Sequence, residues 1–132
     1  MAVKVTYSQT RPNTGTPLRH EVDFRVIGNN GSDFDAYDVL VDSGADFLQI
    51  PEDIGIKIGL LPGKTKQVDV STVGGTVKME LLNNVEVEVE GKQTIYVDVL
   101  FHPDPASRPL FGRNAIWELK ALGLDPTDWH WQ

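Results

Sequence analysis

The 132-residue chain contains no cysteine. A disulfide framework, a thiolate zinc site and a cysteine nucleophile are therefore excluded. Basic residues are also few, because 12 Lys and Arg stand against 19 Asp and Glu and give a net charge of −7. Binding of nucleic acid or of anionic lipid needs a basic surface, so we expect neither nucleic acid nor a membrane as a partner.

Long apolar runs are missing as well. No stretch approaches the roughly 20 apolar residues that a membrane-spanning helix needs. The first ten residues, MAVKVTYSQT, have no apolar core like that of a signal peptide. We therefore expect a soluble, cytoplasmic protein. The length corresponds to one domain, and we predict a single domain over residues 1–132.

Apolar and polar residues alternate in short segments between frequent turn signals. Val22, Phe24 and Val26 show this period of two, and so do residues 85–89 and 95–99. Such alternation predicts half-buried antiparallel strands. Many short strands in one small domain predict an all-β barrel or sandwich.

Helical spacing of apolar residues is clear over one segment, residues 114–122, and Gly123 follows it as a C-cap signal. The window 51–60 has room for one further short helical turn. Both chain ends alternate like strands, over residues 3–7 and 129–131. Exposed strand edges at these ends favour pairing with another chain.

The most informative segment is an aliphatic strand, residues 39–41, that runs directly into Asp42-Ser43-Gly44. A carboxylate at the end of a buried strand is costly unless the protein uses it. Ser43 can bond to the local backbone, and Gly44 permits a close backbone approach. Taken alone, the triplet is more typical of a simple turn than of a catalytic site.

Further motifs change that interpretation. Ala45 follows the triplet, a Gly-Gly hairpin tip lies at residues 73–76, and Leu110-Phe111 leads into Gly-Arg-Asn at 112–114. Together these motifs resemble the retropepsin-like aspartic proteases, the family of retroviral and retrotransposon proteases and their cellular and bacterial relatives. The resemblance spans about residues 22–122. It implies an all-β fold, namely a small closed antiparallel barrel with a flap hairpin over residues 66–81 and one C-terminal helix.

The function that this resemblance implies is that of a homodimeric aspartic endopeptidase. Aspartic peptidases need two carboxylates, whereas this chain has one Asp-Ser-Gly and is too short for two lobes. Each subunit would contribute one Asp42 at the two-fold axis. The two carboxylates would share a proton and activate the water that attacks a peptide bond of a protein or peptide substrate. No metal, cofactor or covalent intermediate is implied.

The resemblance also assigns roles to individual residues. The implied catalytic residues are Asp42, Ser43 and Gly44. The implied substrate-binding residues are Leu40, Ala45, Asp46, Phe47, the hairpin-tip residues Val73, Gly74 and Gly75, and Leu110. Arg113 and Asn114 are implied structural supports, Arg113 through an ion pair with Asp46. Since residues two apart share a face of a strand, Leu40 is expected in the cleft with Asp42.

Two alternative hypotheses stay open. One is a catalytically inactive peptide-binding or dimerisation module that retains the protease fold, and the other is an unrelated small β-barrel with coincidental motifs. The polar, Pro-rich loop 102–109 departs from viral members, so their specificity is not carried over. Ala45 replaces a hydroxyl residue of pepsin-like enzymes. Loss of that donor favours the protonated carboxyl, and we expect activity at mildly acidic to near-neutral pH.

Overall fold

The computed structural model describes residues 6–8, 19–125 and 130–131, and the side chains of residues 20–125. Strands are the main element. They are β1 (Thr6–Ser8), β2 (Arg19–Val26), β3 (Phe34–Leu40), β4 (Leu48–Pro51), β5 (Thr65–Thr72), β6 (Gly75–Val89), β7 (Gln93–His102), β8 (Leu124–Asp125) and β9 (His130–Trp131). The helices of the described residues are α1 (Glu52–Lys57) and α2 (Arg113–Ala121).

Seven of the strands form one sheet, in the order β1-β2-β6-β7-β4, with β3 paired to β2 and β5 paired to β6. The alternating segments of the sequence lie in β2, β6 and β7, as predicted. The prediction of an all-β fold is confirmed. The pairs of this sheet are antiparallel except β4 with β7, which run parallel, so the prediction of a purely antiparallel sheet is wrong for that pair.

The sheet is open and branched within the described part of the chain, since no hydrogen-bonded pairing joins β3 to β4. The two-residue segment Leu110-Phe111 lies between them instead. It bridges to Val41 just beyond β3 and to Gln49 in β4. Closure of a complete barrel therefore stays a prediction, although this segment links the two edges at one end.

The helix content differs from the single C-terminal helix that the resemblance implied. Helix α2 forms where the apolar spacing predicted it. Helix α1 forms in the window that had room for one more turn, and it begins directly after Pro51 with Glu52 and Asp53 in its first turn. Acidic residues at a helix N-terminus are favoured by the helix dipole, which accounts for a helix start there. Neither helix has the length and apolar character needed to cross a membrane.

The core lies between the main sheet and α2. The side chains of Val22, Val26, Val87 and Val99 are fully buried, and so is Phe111. The ring of Phe111 packs against Phe24 with 5.7 Å between centroids. Burying an aromatic side chain stabilises a fold by roughly 1.5–3 kcal/mol. Phe111 therefore fixes the bridging segment in the core.

The terminal strands that are described pair within the chain. Strand β1 pairs with β2, and β9 pairs with β8 through Leu124 and Trp131. The remaining residues of the predicted terminal strands, 3–5 and 129, lie outside the described residues. Pairing of the termini between two subunits stays a prediction.

Candidate active site

Asp42 lies just beyond β3, where the bridging segment joins this edge of the sheet. Its backbone N–H donates to the Phe111 carbonyl at 3.0 Å, and the Phe111 N–H donates to the Leu40 carbonyl at 3.1 Å. The Asp42 side chain accepts a hydrogen bond from the Gly44 N–H at 2.9 Å. The backbone on both sides of the carboxylate is therefore held, and the turn that the triplet predicted is present.

The loop after Asp42 caps helix α2. The Arg113 N–H donates to the Ala45 carbonyl at 2.8 Å, and the Asn114 N–H donates to the Asp46 carbonyl at 3.2 Å. The first N–H groups of a helix have no acceptor within the helix, and the N-cap residue Gly112 has no side chain to supply one. The loop carbonyls satisfy these donors, so the loop and the helix position each other.

Gly112 is the point of closest approach between helix and loop. A Cβ atom built there would lie 2.2 Å from the Phe47 carbonyl oxygen and 2.9 Å from that of Ala45. Both neighbours are backbone atoms, so no side-chain rotation relieves the contact. The Gly of the Gly-Arg-Asn motif is thus required by packing against the Asp42 loop.

Asn114 joins three parts of the fold with its side-chain amide. Its Oδ1 accepts from the Leu48 N–H of β4 at 2.8 Å, and its Nδ2 donates to the Asp98 carbonyl of β7 at 2.7 Å. The amide thereby links the backbones of β4 and β7 to helix α2. The supporting role that the motif implied for Asn114 stays a prediction, and these hydrogen bonds show how it would act.

We expect Asn114→Ala to destabilise the protein by about 2–3 kcal/mol. Ala removes both hydrogen bonds and leaves part-buried backbone groups without partners, at a cost of about 1–3 kcal/mol each. Urea denaturation followed by circular dichroism measures the change in the free energy of unfolding. Asn83→Ala is the matched control, because Asn83 is exposed, and we expect it to change stability little. Equal stabilities for the two variants would contradict the proposed role.

Arg113 and Asp46 form the ion pair that the resemblance implied. The two side chains are 53% and 64% exposed. Exposed pairs stabilise proteins by only about 0–1 kcal/mol, since water screens them. The backbone bonds and the packing of Gly112 therefore hold the loop more than this pair does.

A cavity of about 780 Å³ opens between Asp42 and the β5–β6 hairpin. We call it the Asp42 cavity. The hairpin pairs Thr65 with Leu82 and continues to Thr72 with Gly75, which matches the hairpin expected over residues 66–81. Its tip turns at Val73-Gly74, and Gly75 adopts a φ of 120°, a conformation that favours glycine. The hairpin and Asp42 thus line the same cavity.

The structure brings most of the expected site residues to this cavity. Its lining includes Asp42, Gly44, Ala45, Asp46, Phe47, Val73 and Leu110. Ser43 is exposed beside it, and Gly74 and Gly75 lie at the hairpin tip. Leu40 is placed elsewhere, in a neighbouring groove that it shares with Leu110. Its role in binding substrate stays a prediction.

The lining also includes Met79 and residues 68–72 of the expected hairpin, His102 at the start of the loop 102–109, and two residues for which the sequence predicted no role, Gln49 and Leu100. Met79 and Leu100 are only 2% and 4% exposed, yet they lie apart from the main hydrophobic cluster. They give the cavity an apolar floor. Gln49 carried a signal in the sequence, because a polar residue between buried Leu48 and Ile50 indicates a face turned away from the core.

Comparison with known protein families agrees with these motifs. The family model described as "gag-polyprotein putative aspartyl protease" matches residues 29–117, more than half of the chain. The matched region contains Asp42-Ser43-Gly44, the hairpin and Gly112-Arg113-Asn114. The chain therefore belongs to this family of retroviral-type aspartyl proteases.

Proposed function

We propose that this protein is a homodimeric aspartic endopeptidase in which each subunit contributes one Asp42. The observation that carries the proposal is that Asp42 and the β5–β6 hairpin line one cavity of about 780 Å³. A carboxylate on a backbone held in this way, at a cavity with space for a peptide, suits water activation at a bound peptide bond.

The other carboxylates of the cavity lining favour a second subunit as the source of the second catalytic acid. Asp46 pairs with Arg113. Asp69, on the hairpin, lies 3.6 Å from Lys78. Both are engaged in ion pairs, whereas the two carboxylates of a catalytic dyad share one proton with each other. The partner that best completes the dyad is therefore Asp42 of a second subunit.

Exposed groups beside the cavity support such a dimer. The Ser43 hydroxyl is exposed next to Asp42, and the apolar side chain of Val73 is fully exposed at the hairpin tip. In a two-fold dimer each of these faces its own copy or a neighbouring group of the partner. Contact between the subunits would cover both, with Ser43 bracing the dyad.

The mechanism follows from this arrangement. Two adjacent carboxylates share one proton, because two negative charges at short range are costly. The ionised member takes a proton from a water as that water attacks the carbonyl carbon of the peptide bond. The protonated member donates a hydrogen bond to the carbonyl oxygen, and proton transfer to the amide nitrogen then releases the amine product.

Incubation with a mixed peptide library tests this function. We expect cleavage at mildly acidic to near-neutral pH, between pH 4 and 7, and inhibition by a pepstatin-like compound, which mimics the hydrated carbonyl. Mass spectrometry of the products measures both. Cleavage that resists the inhibitor would contradict the carboxylate mechanism. Peptide binding by a stable dimer without cleavage would favour the alternative of an inactive binding module.

A further inference from the structure

The loop between β2 and β3, residues 27–33, carries the sequence Asn30-Gly31-Ser32, and all three of these residues are exposed. We call it the β2–β3 loop. Both atoms of the Asn30 side-chain amide form hydrogen bonds. Oδ1 accepts from the Ser32 N–H at 3.1 Å, and Nδ2 donates to the Lys57 carbonyl at 3.1 Å. Since Lys57 is the last residue of α1, the amide fastens the loop to the end of that helix.

The loop packs closely against the residues that follow α1. The Asn29 N–H donates to the Ile58 carbonyl at 2.9 Å. A Cβ atom built at Gly59 would lie 2.9 Å from the Cβ and Cγ atoms of Asn30. There is therefore little room for an added atom at this contact. A chemical change in the Asn30 side chain would act on the loop and on the end of the helix together.

An asparagine that precedes a glycine reacts with its own backbone. Hydroxide removes the proton from the Gly31 nitrogen, and this nitrogen attacks Cγ of Asn30 to form a new N–Cγ bond. The Cγ–Nδ2 bond then breaks. The leaving nitrogen takes a proton from water and departs as ammonia, which regenerates the hydroxide and leaves a five-membered cyclic imide. Water next opens one of the two C–N bonds of the imide. The product is Asp, or isoaspartate, in which the main chain runs through Cγ.

The local structure favours the first of these steps. Negative charge develops on Oδ1 as the Gly31 nitrogen attacks, and the Ser32 N–H already donates to that oxygen. A donor placed in advance where charge develops lowers the barrier of a reaction. Gly31 has no side chain to obstruct the approach, and its φ of 84° is a conformation that favours glycine. Within residues 19–125, no hydrogen bond uses the Gly31 N–H.

We propose that Asn30 is a site of spontaneous deamidation, and that its conversion releases the β2–β3 loop from α1. The product has a carboxylate where Nδ2 donated, and this carboxylate repels the Lys57 carbonyl oxygen. A negative charge at the C-terminal end of a helix is also unfavourable. Isoaspartate adds one carbon to the backbone at the close contact with Gly59. The proposal is independent of the protease function, because the loop is not part of the Asp42 cavity.

The chemical step is tested by incubating the folded protein at mildly alkaline pH, followed by proteolytic digestion and mass spectrometry. Four other asparagines of the described residues precede a residue with a side chain and serve as internal controls, namely Asn29, Asn83, Asn84 and Asn114. We expect Asn30 to convert about tenfold faster than each of them, the rate ratio that one net hydrogen bond supplies. Conversion of Asn30 only after unfolding in urea, or at the rate of the controls, would overturn the proposal.

The release of the loop is tested by thermal unfolding. Asn30→Asp reproduces one product, and we expect it to lower Tm by about 3–6 °C. Asn83→Asp makes the same change of charge at another exposed asparagine and is the matched control, which should change Tm little. Incubated wild-type protein should lose Tm in step with conversion. Incubated Asn30→Gln should not, because its longer side chain would have to close a six-membered ring. Equal Tm values for Asn30→Asp and wild type would refute the release.

Discussion

Asp42→Asn is expected to lower kcat by at least about 10³-fold, in line with the contribution of a positioned acid or base. The amide keeps the size of the side chain and can still accept from the Gly44 N–H, so the turn should persist. It can neither take a proton from water nor share one with a second carboxylate. Initial rates on a cleaved library peptide measure the loss. Unchanged circular dichroism and an unchanged free energy of unfolding show that the fold survives.

Mixing the two proteins tests whether both carboxylates of a dimer are needed. When equal amounts of wild-type and Asp42→Asn chains exchange freely, about one quarter of the dimers contain two wild-type subunits, as expected for random pairing at a two-fold interface. We therefore expect about one quarter of the activity of a sample in which every chain is wild type. Activity of one half would indicate that each subunit works alone and would contradict the shared dyad.

Glu118→Gln is the matched control for this series. It removes one exposed carboxylate on α2, outside the Gly112-Arg113-Asn114 motif. We expect Glu118→Gln to have the wild-type kcat. We also expect its mixture with wild-type chains to keep the full activity. A comparable loss in Glu118→Gln would attribute the effect of Asp42→Asn to net charge instead of to the site. Cleavage by Asp42→Asn at the wild-type rate would place the catalytic group elsewhere.

The parts of the site that sequence analysis predicted are those that short motifs carry. Asp42-Ser43-Gly44 and Gly112-Arg113-Asn114 each occupy a few consecutive residues, and local backbone rules constrain each of them. The ion pair of Asp46 with Arg113 and the support from Asn114 followed from the resemblance once both motifs were seen together. The alternation of β2, β6 and β7 likewise fixes which residues face inward, because a strand has a period of two.

The parts that were not predicted depend on the register between distant strands. Met79 reaches the Asp42 cavity because β5 pairs with β6 so that Val68 lies opposite Met79. Leu100 faces the same cavity from β7, whose two sides are both buried over residues 99–101. Alternation shows that such residues are buried but not what covers them. The parallel pairing of β4 with β7 was missed for a related reason, since only the tertiary crossover brings these strands together.

Gly112→Ala is expected to destabilise the protein by about 3 kcal/mol or more, at the upper end of the cost of overpacking. The added Cβ would meet the Phe47 carbonyl oxygen at 2.2 Å and its carbonyl carbon at 2.5 Å. These are backbone atoms of the Asp42 loop, so α2 and the loop must separate. That movement also breaks the bond from the Arg113 N–H to the Ala45 carbonyl. Urea denaturation measures the loss of stability, and we expect proteolysis to fall with it, because the same loop positions Asp42.

Gly74→Ala adds the same single carbon at the hairpin tip and is the matched control for stability. The nearest atom to a Cβ there is the Thr72 Oγ1 at 4.0 Å, an ordinary contact. We expect the free energy of unfolding to stay within about 0.5 kcal/mol of wild type.

If Gly112→Ala were equally stable, the close approach of α2 to the Asp42 loop would not be needed. The loop would then depend more on the exposed Arg113–Asp46 pair, and high salt should lower the free energy of unfolding by up to about 1 kcal/mol. With Gly112 as the contact that holds the loop, stability should depend little on salt, because packing of neutral backbone atoms is not screened.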